Sequence, residues 1–270
     1  MENNNGIFID IQNVSKQFGK RTVLEDVSFS VKKGSTTVIM GSSGCGKSTL
    51  LSLLVGINKP NSGKILYEGR DIADFTDEDW VALKKRFGIL FQSGALFNSM
   101  TVGENVALPL IEHTNLDPNT INIIVKMKLE QVGLRGFEDL LPSQISGGMK
   151  KRVGLARAIA LDPELVFYDE PSAGLDPIVS GVIDQLIIDL SDKLGITSVV
   201  VTHDMNSAFK IADQIIMLYK GKAIAHGTVE EIKNSDDPRV LQFINGSPDG
   251  PIPLRQSKGD YLRDLLGELE

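Results

Sequence analysis

The sequence predicts an α/β fold: a parallel sheet with helices on its faces, preceded by antiparallel strands and interrupted by a helical insertion. Three observations carry this expectation. Near the start, Ile7, Ile9 and Ile11 alternate with Phe8, Asp10 and Gln12, and Val27, Phe29 and Val31 repeat the period-two pattern of half-buried antiparallel strands. Short apolar runs at 35–40, 165–168 and 198–202 then recur, with a helical stretch at 178–194 between the last two, the order expected of parallel strands joined by crossovers. From about 97 to 162 the β-branched runs vanish and helical patterning replaces them, as in Ile123, Val125, Met127, Leu129 and Val132 among charged residues.

Each element has a local cause. Phe18 ends the first antiparallel stretch. The run 35–40 feeds directly into a glycine-rich turn, Gly41-Ser42-Ser43-Gly44-Cys45-Gly46-Lys47-Ser48-Thr49, and 47–55 reads as the helix that follows it. The apolar run 88–91 ends at Gln92. After Gly246, residues Pro248, Gly250, Pro251 and Pro253 cannot continue a helix or a central strand, so a stiff extended connector is expected. Beyond it Leu262, Leu265, Leu266 and Leu269 fall at i, i+3, i+4 and i+7, one stripe of a short amphipathic helix. The expected division is 1–246 as one domain, with a helical subdomain at about 97–162, and 247–270 as a C-terminal extension.

Composition narrows the function. A chain of 270 residues that is 41% hydrophobic can bury a large core without disulfides. Its single cysteine, Cys45, excludes an intrachain disulfide framework and fits a reducing compartment. No stretch approaches the ~20 consecutive apolar residues that span a bilayer. The start, Met1-Glu2-Asn3-Asn4-Asn5, is polar rather than basic and then apolar. A cytoplasmic location is therefore expected, with membrane association only through partners. The formal net charge of -7 opposes a broad basic surface, so nucleic acid is not an expected partner.

The turn at 41–49 matches Gly-x-x-x-x-Gly-Lys-Ser/Thr, in which backbone N–H groups and a helix N-terminus cradle phosphates while the lysine adds a point charge. A nucleoside triphosphate is the expected ligand. Lys47 would bridge the β and γ oxygens, and the Ser48 hydroxyl would reach magnesium. The run 165–168 ends in Asp169 and Glu170 at the carboxyl edge of the sheet, where parallel sheets bind ligands. Asp169 would support Mg2+ through water, and Glu170 would take a proton from, or orient, the attacking water. His203, after the strand at 198–202, would hold that water and Glu170 in register, and the Gln92 amide could reach both metal and water. Plainer alternatives stay open: Asp-Glu also ends ordinary strands, a lone histidine is often structural, and Gln92 could be a surface residue.

The order Phe18, 41–49, Gln92, Ser146-Gly147-Gly148-Met149, Asp169-Glu170, Ala173-Gly174-Leu175-Asp176 and His203 resembles the ATP-binding-cassette ATPases, over almost the whole chain up to about Gly246. The resemblance implies a P-loop NTPase fold with a RecA-like core, an N-terminal antiparallel β subdomain and an inserted helical signature subdomain. It implies ATP as ligand, Phe18 stacked on adenine, and a loop from Gln92 that senses a transmembrane subunit. Ser146, Gly147 and Gly148 would form the signature motif. That motif would complete the γ-phosphate site of a second copy in a head-to-tail dimer, with Asp176 at the seam. Ser-Gly-Gly could equally cap the helix 149–161, and both roles can hold together. Met149 stands where most relatives carry glutamine, so the amide contacts of that side chain are lost. Cys45, within the turn, is expected to have a pKa lowered by the helix N-terminus and to let a thiol reagent block ATP binding.

Within the family, Phe91-Gln92-Ser93-Gly94-Ala95-Leu96-Phe97, the Ser-Gly-Gly-Met signature and Asp249-Gly250-Pro251-Ile252-Pro253 resemble the ATPase subunits of Mla-type phospholipid transporters. This implies a Mla-type permease, a periplasmic lipid-binding subunit attached to it and a small cytoplasmic STAS-domain protein as partners, on the cytoplasmic face of an inner membrane. The terminal leucine stripe would dock on a neighbouring subunit or fold back on its own domain. Two alternatives stand beside this: the ATPase of another importer or exporter, for amino acids or polyamines, and a soluble cassette that remodels nucleic acid or ribosomes.

Overall fold

The computed structural model describes residues 6–252; the leucine stripe at 262–269 and Pro253 lie outside the described residues. Among the described residues ten strands form two sheets. The first is antiparallel, in the order β2-β1-β4-β5, from β1 (Ile7–Phe18), β2 (Arg21–Lys32), β4 (Ser62–Tyr67) and β5 (Arg70–Asp71). The second takes β3 (Thr36–Gly41), β6 (Phe87–Leu90), β7 (Leu165–Asp169), β8 (Thr197–Val201), β9 (Gln214–Tyr219) and β10 (Lys222–Gly227) in the order β10-β9-β3-β8-β7-β6. It is parallel except for the β9–β10 hairpin.

The second sheet is buried on both faces, which is why its strands read as continuous apolar runs rather than as alternation. Val199 and Val201 join Ile39, Phe167 and Ile216 on one face. That face packs against Leu50 and Leu53 of α1 (Lys47–Leu54) and against Ile9, Ile11, Val27 and Val31 of the antiparallel sheet. Val200, Val38, Met40, Val166 and Met217 face the other way, onto Ile183 and Ile187 of a long helix. Full burial of each such side chain contributes roughly 1.5–3 kcal/mol before ordering costs.

α2 (Asp77–Lys85) follows the antiparallel sheet. Three helices then occupy the middle of the chain: α3 (Val102–His113), α4 (Pro118–Gln131) and α5 (Gly147–Ala158). Each starts on a side-chain cap, Thr101, Asp117 and Ser146 respectively, which satisfies backbone donors that have no partner in the helix. Of the expected α4 stripe, Val125, Leu129 and Val132 are buried, at i, i+4 and i+7, while Ile123 and Met127 are exposed. The stretch 92–101 is not helical; Asn105, fully buried, ties it down by accepting from the Phe97 N–H and donating to the carbonyls of Phe97, Met100 and Thr101.

α6 (Pro177–Leu194) begins on Asp176, whose carboxylate accepts from the N–H groups of Ile178 and Val179. α7 (Met205–Ile211), α8 (Val229–Lys233) and α9 (Pro238–Asn245) complete the fold. The extended connector expected after Gly246 is instead bent around Gln242. Its amide donates to the carbonyls of Ser247 and Ile252 and accepts from the Ile252 N–H at 2.7 Å. The helix ends at Asn245 on the left-handed cap Gly246, before Pro248, and the Gln242 amide gives the following residues something to fold onto.

Candidate active site

β3, β8, β7 and β6 are parallel neighbours, so their carboxyl ends open on one edge. From that edge come the glycine turn after β3, His203 after β8, Asp169 and Glu170 at the end of β7, and Gln92 after β6. They line one cleft of about 880 Å³ together with Ser42, Ser43, Gly44, Gly46, Lys47, Ser48 and Thr49. Side chains separated in sequence by as much as His203 and Lys47 thus share one wall, as ligand sites on open parallel sheets do.

The turn itself demands glycine. Gly46 precedes α1 at φ 112°, and a Cβ there would come within 2.7 Å of a Leu24 methyl; at Gly41, φ 149°, it would lie 2.2 Å from the Leu218 carbonyl oxygen. Lys47 is buried, and its ammonium donates to the carbonyls of Gly41 at 2.7 Å and Ser42 at 3.1 Å, holding the loop curled. Gly41 and Cys45 are not among the residues that line the cleft, and the Cys45 N–H donates to the Ser42 carbonyl at 3.3 Å within the turn. Cys45 is 3% exposed, and burial pushes its pKa up, outweighing the Lys47 charge and the backbone N–H groups that favour the thiolate. The expected lowered pKa fails because desolvation exceeds the pull of the helix N-terminus.

Glu170 stands at φ 50°, a conformation that costs a non-glycine residue about 1–3 kcal/mol and persists only where its surroundings fix it. Its N–H donates to the Val201 carbonyl at 2.8 Å, and its Oε2 lies 2.7 Å from Nδ1 of His203. A carboxylate oxygen only accepts, so Nδ1 carries the hydrogen and Nε2 is left for the cleft. Asp169 has its pKa raised, first by burial and then by the neighbouring Glu170 charge, with Lys47 opposing. A cation in the cleft would relieve both effects.

The remaining expected residues stand apart. Phe18 is exposed at the β1–β2 turn, with Lys16 above its ring, and does not line the cleft; Arg21, with which it pairs, does. Ser146 accepts from the Met149 N–H at 3.2 Å as the cap of α5. A Cβ on Gly148 would meet Val179 at 2.5 Å, so this glycine also serves the packing of α5 on α6. Neither they, Gly147 nor Asp176 borders the chain's own cleft. Arg21, Val23 and Phe243 border it and were not expected from the sequence. Only the basic side chain near Phe18 signalled Arg21, and Phe243 arrives from α9, remote from any motif.

A family model described as "ABC transporter" matches residues 24–173, from β2 past the Asp169-Glu170 pair. The chain belongs to the ABC transporter family. The Intermembrane phospholipid transport system ATP-binding protein MlaF of Escherichia coli (strain K12) is 46% identical over 266 residues, 98% of this chain and 99% of that protein. The probable ribonucleotide transport ATP-binding protein mkl of Mycobacterium leprae (strain TN) is 41% identical over 255 residues, 94% of this chain and 74% of that protein. Among solved structures, a dimeric post-hydrolysis state of the ATP-binding cassette MJ0796 bound to ADP and Pi matches at a TM-score of 0.75 and 31% identity, covering 82% of this chain and 98% of that one. The chain is thus an ABC transporter ATPase subunit that binds ATP.

The oxygen donors fit a hard cation shared with phosphate. Ser48, Asp169 and Gln92 line the same cleft, and among the described residues no cluster of three or more His, Cys, Asp or Glu could cage a metal alone. Such a sparse protein donor set is the one magnesium accepts when a nucleotide supplies the rest.

Proposed function

We propose that this chain is the ATPase of a phospholipid transporter acting between the inner and outer membranes of a Gram-negative envelope. The full-length match to MlaF supports the cargo. It extends over 99% of that protein, whereas the mkl match leaves a quarter of mkl uncovered. The geometry that carries the enzymatic part is the Glu170–His203 pair in the same cleft as Lys47.

In this reading Lys47, Ser48 and the N–H groups of the turn hold the β- and γ-phosphates, and Ser48, Asp169 and Gln92 hold Mg2+. The metal would supply charge neutralisation on the phosphate oxygens. Glu170 orients the attacking water and takes its proton, and His203 fixes the carboxylate through Nδ1. A second copy, head-to-tail, contributes Ser146, Gly147 and Gly148 to the γ-phosphate, with Asp176 at the seam and Phe18 against adenine. The dimeric MJ0796 cassette supports this arrangement.

Closure of the pair would pull on a Mla-type permease through the exposed Phe91 and Phe97 beside Gln92, where a groove of about 350 Å³ continues to Pro109 and His113. A periplasmic lipid-binding subunit and a STAS-domain protein complete the proposed assembly. No helix among the described residues is long and apolar enough to cross a membrane. The proposed location, peripheral on the cytoplasmic face of the inner membrane, rests on the similarity to MlaF. Co-purification with the membrane subunit and mass analysis of bound molecules test the cargo: stoichiometric phospholipid is expected, and amino acid or polyamine cargo would overturn the assignment.

A further inference from the structure

Lys151 is charged, only 5% exposed, and has no carboxylate within salt-bridge distance among the described residues. Its neighbours on α5, Val153 and Leu155, meet the same burial with apolar side chains. A buried ammonium is costly unless its donors are satisfied. Lys151 satisfies them on backbone alone: Nζ donates to the carbonyls of Ala173 at 2.6 Å and Glu170 at 3.2 Å. Burial lowers its pKa while Glu170 opposes the shift. The ammonium therefore clasps both ends of the turn that begins at Glu170, the residue held at φ 50°.

The same helix reaches a second element of the cleft. Arg157, six residues further on, donates to the carbonyls of Gly94 at 2.8 Å and Ala95 at 2.9 Å, on the loop that starts at Gln92. The seat has no slack, because a Cβ on Gly154 would come within 3.0 Å of the Gly94 carbonyl oxygen. At its other end α5 opens on Ser146, away from its own cleft. One rigid helix thus joins the Ser146 end to both the Glu170 turn and the Gln92 loop.

We propose that Lys151 is a positioning residue that transmits the seating of Ser146–Gly148 on a partner's nucleotide to the Glu170 turn of its own chain. A shift of α5 moves the two carbonyls that Lys151 clasps, and with them the carboxylate of Glu170. Each site then senses through α5 whether the other holds ATP. This rests on the reading of Glu170 as base and of Ser146 to Gly148 as a contact made across the dimer.

The test measures ATP turnover by the full chain assembled with its membrane subunits. Lys151→Met keeps the stem and removes the donors. The expected result is a kcat lower by about 10-fold or more, a KM for ATP within about two-fold, loss of cooperativity in ATP, and an unchanged melting temperature. Lys151→Arg, which can still donate to two carbonyls, should recover most of the rate and the cooperativity. Wild-type kcat and cooperativity in Lys151→Met would overturn the proposal, as would a matching rise in KM, a lower melting temperature, or an arginine variant no better than methionine. Should Lys151→Met not fold, Lys151→Gln carries the same readouts. Glu170→Gln, run in parallel, separates the failures: if it turns over ATP, the base assignment falls, and if it is dead while Lys151→Met behaves as wild type, only the clasp falls.

Discussion

Nδ1 of His203 lies 2.7 Å from Oε2 of Glu170, joining the ends of β8 and β7 across 33 residues of sequence. The bond fixes the imidazole tautomer and one carboxylate oxygen, leaving the other oxygen of Glu170 and Nε2 of His203 for a water and a γ-phosphate. Such a pair can orient a nucleophile while Lys47 and the glycine turn carry most of the hold on the nucleotide. Binding and turnover should therefore separate on substitution.

Replacing Glu170 with glutamine removes the proton acceptor while keeping shape and a hydrogen-bonding side chain. Multiple-turnover ATPase should fall by about 10²–10⁴-fold, the range of a lost general base. ATP should remain bound and hold the dimer closed, visible as an ATP-dependent shift in size-exclusion chromatography. His203→Ala should cost less, about 10–10²-fold in kcat with KM little changed, since it removes orientation rather than the base. Turnover equal to wild type in Glu170→Gln would count against the assignment.

Lys47 is proposed to act at the other step, nucleotide binding. Its ammonium rests on the carbonyls of Gly41 and Ser42, so it both shapes the loop and supplies the buried positive charge at the cleft floor. Lys47→Ala should weaken ATP binding by about 10-fold or more, and a fixed ATP concentration should raise its melting temperature less than that of the wild-type chain. Nucleotide titration and thermal unfolding check both. A variant that binds ATP normally but hydrolyses it slowly would assign Lys47 to the chemical step alone.

Glu68 gives a pH-dependent prediction away from the cleft. Hydrogen bonds from Arg86 and then Lys33 hold its carboxyl down to about 2 from an ordinary value of 4.5. A depressed carboxyl stabilises the fold fully above the unfolded value, and that contribution is lost as pH falls from the ordinary carboxylate range toward about 2. The pair is a third exposed, so screening limits it to ~1 kcal/mol or less. Glu68→Gln should lower stability at neutral pH by about that amount, ~1 kcal/mol or less, and flatten the fall over the acid window so that the two proteins converge toward pH 2, and denaturant unfolding at several pH values measures it.

How much of this was legible in the sequence depends on which force set each element. The turn at 41–49, the strands β3, β7 and β8 and the residues at their ends were readable because chemistry and burial coincide there: apolar runs lead straight into polar side chains. β9 carries the buried run Ile215, Ile216, Met217 and Leu218, but it and β10 lead into no polar motif, so nothing in the sequence ties them to the site. α2 is the opposite case; mostly polar, it starts on a Thr76–Asp79 capping box and buries only Leu83, so no apolar period announces it. In the cleft, Arg21 and Phe243 come from a hairpin and a late helix, and only tertiary packing brings them to the phosphate loop. The bend at 247–252 depends on one buried amide, Gln242, which proline spacing could not reveal.

Cys45 shows how burial overrides a local field. The sequence puts a thiol at a helix N-terminus next to Lys47, and both features do favour the thiolate. The side chain nevertheless turns down between the two sheets, packed against the Gly41 backbone, where desolvation dominates and raises its pKa. Only the thiolate attacks, so two barriers combine: a smaller ionised fraction at neutral pH and no path for a reagent. Iodoacetamide should label the native chain at least about 10-fold more slowly than the denatured chain at neutral pH, and the native rate should climb only above the ordinary thiol range. ATP binding should persist through an exposure that fully labels the unfolded protein. Rapid stoichiometric labelling of the folded chain, with loss of ATP binding, would mean that the loop opens far more readily than its hydrogen bonds to Lys47 imply.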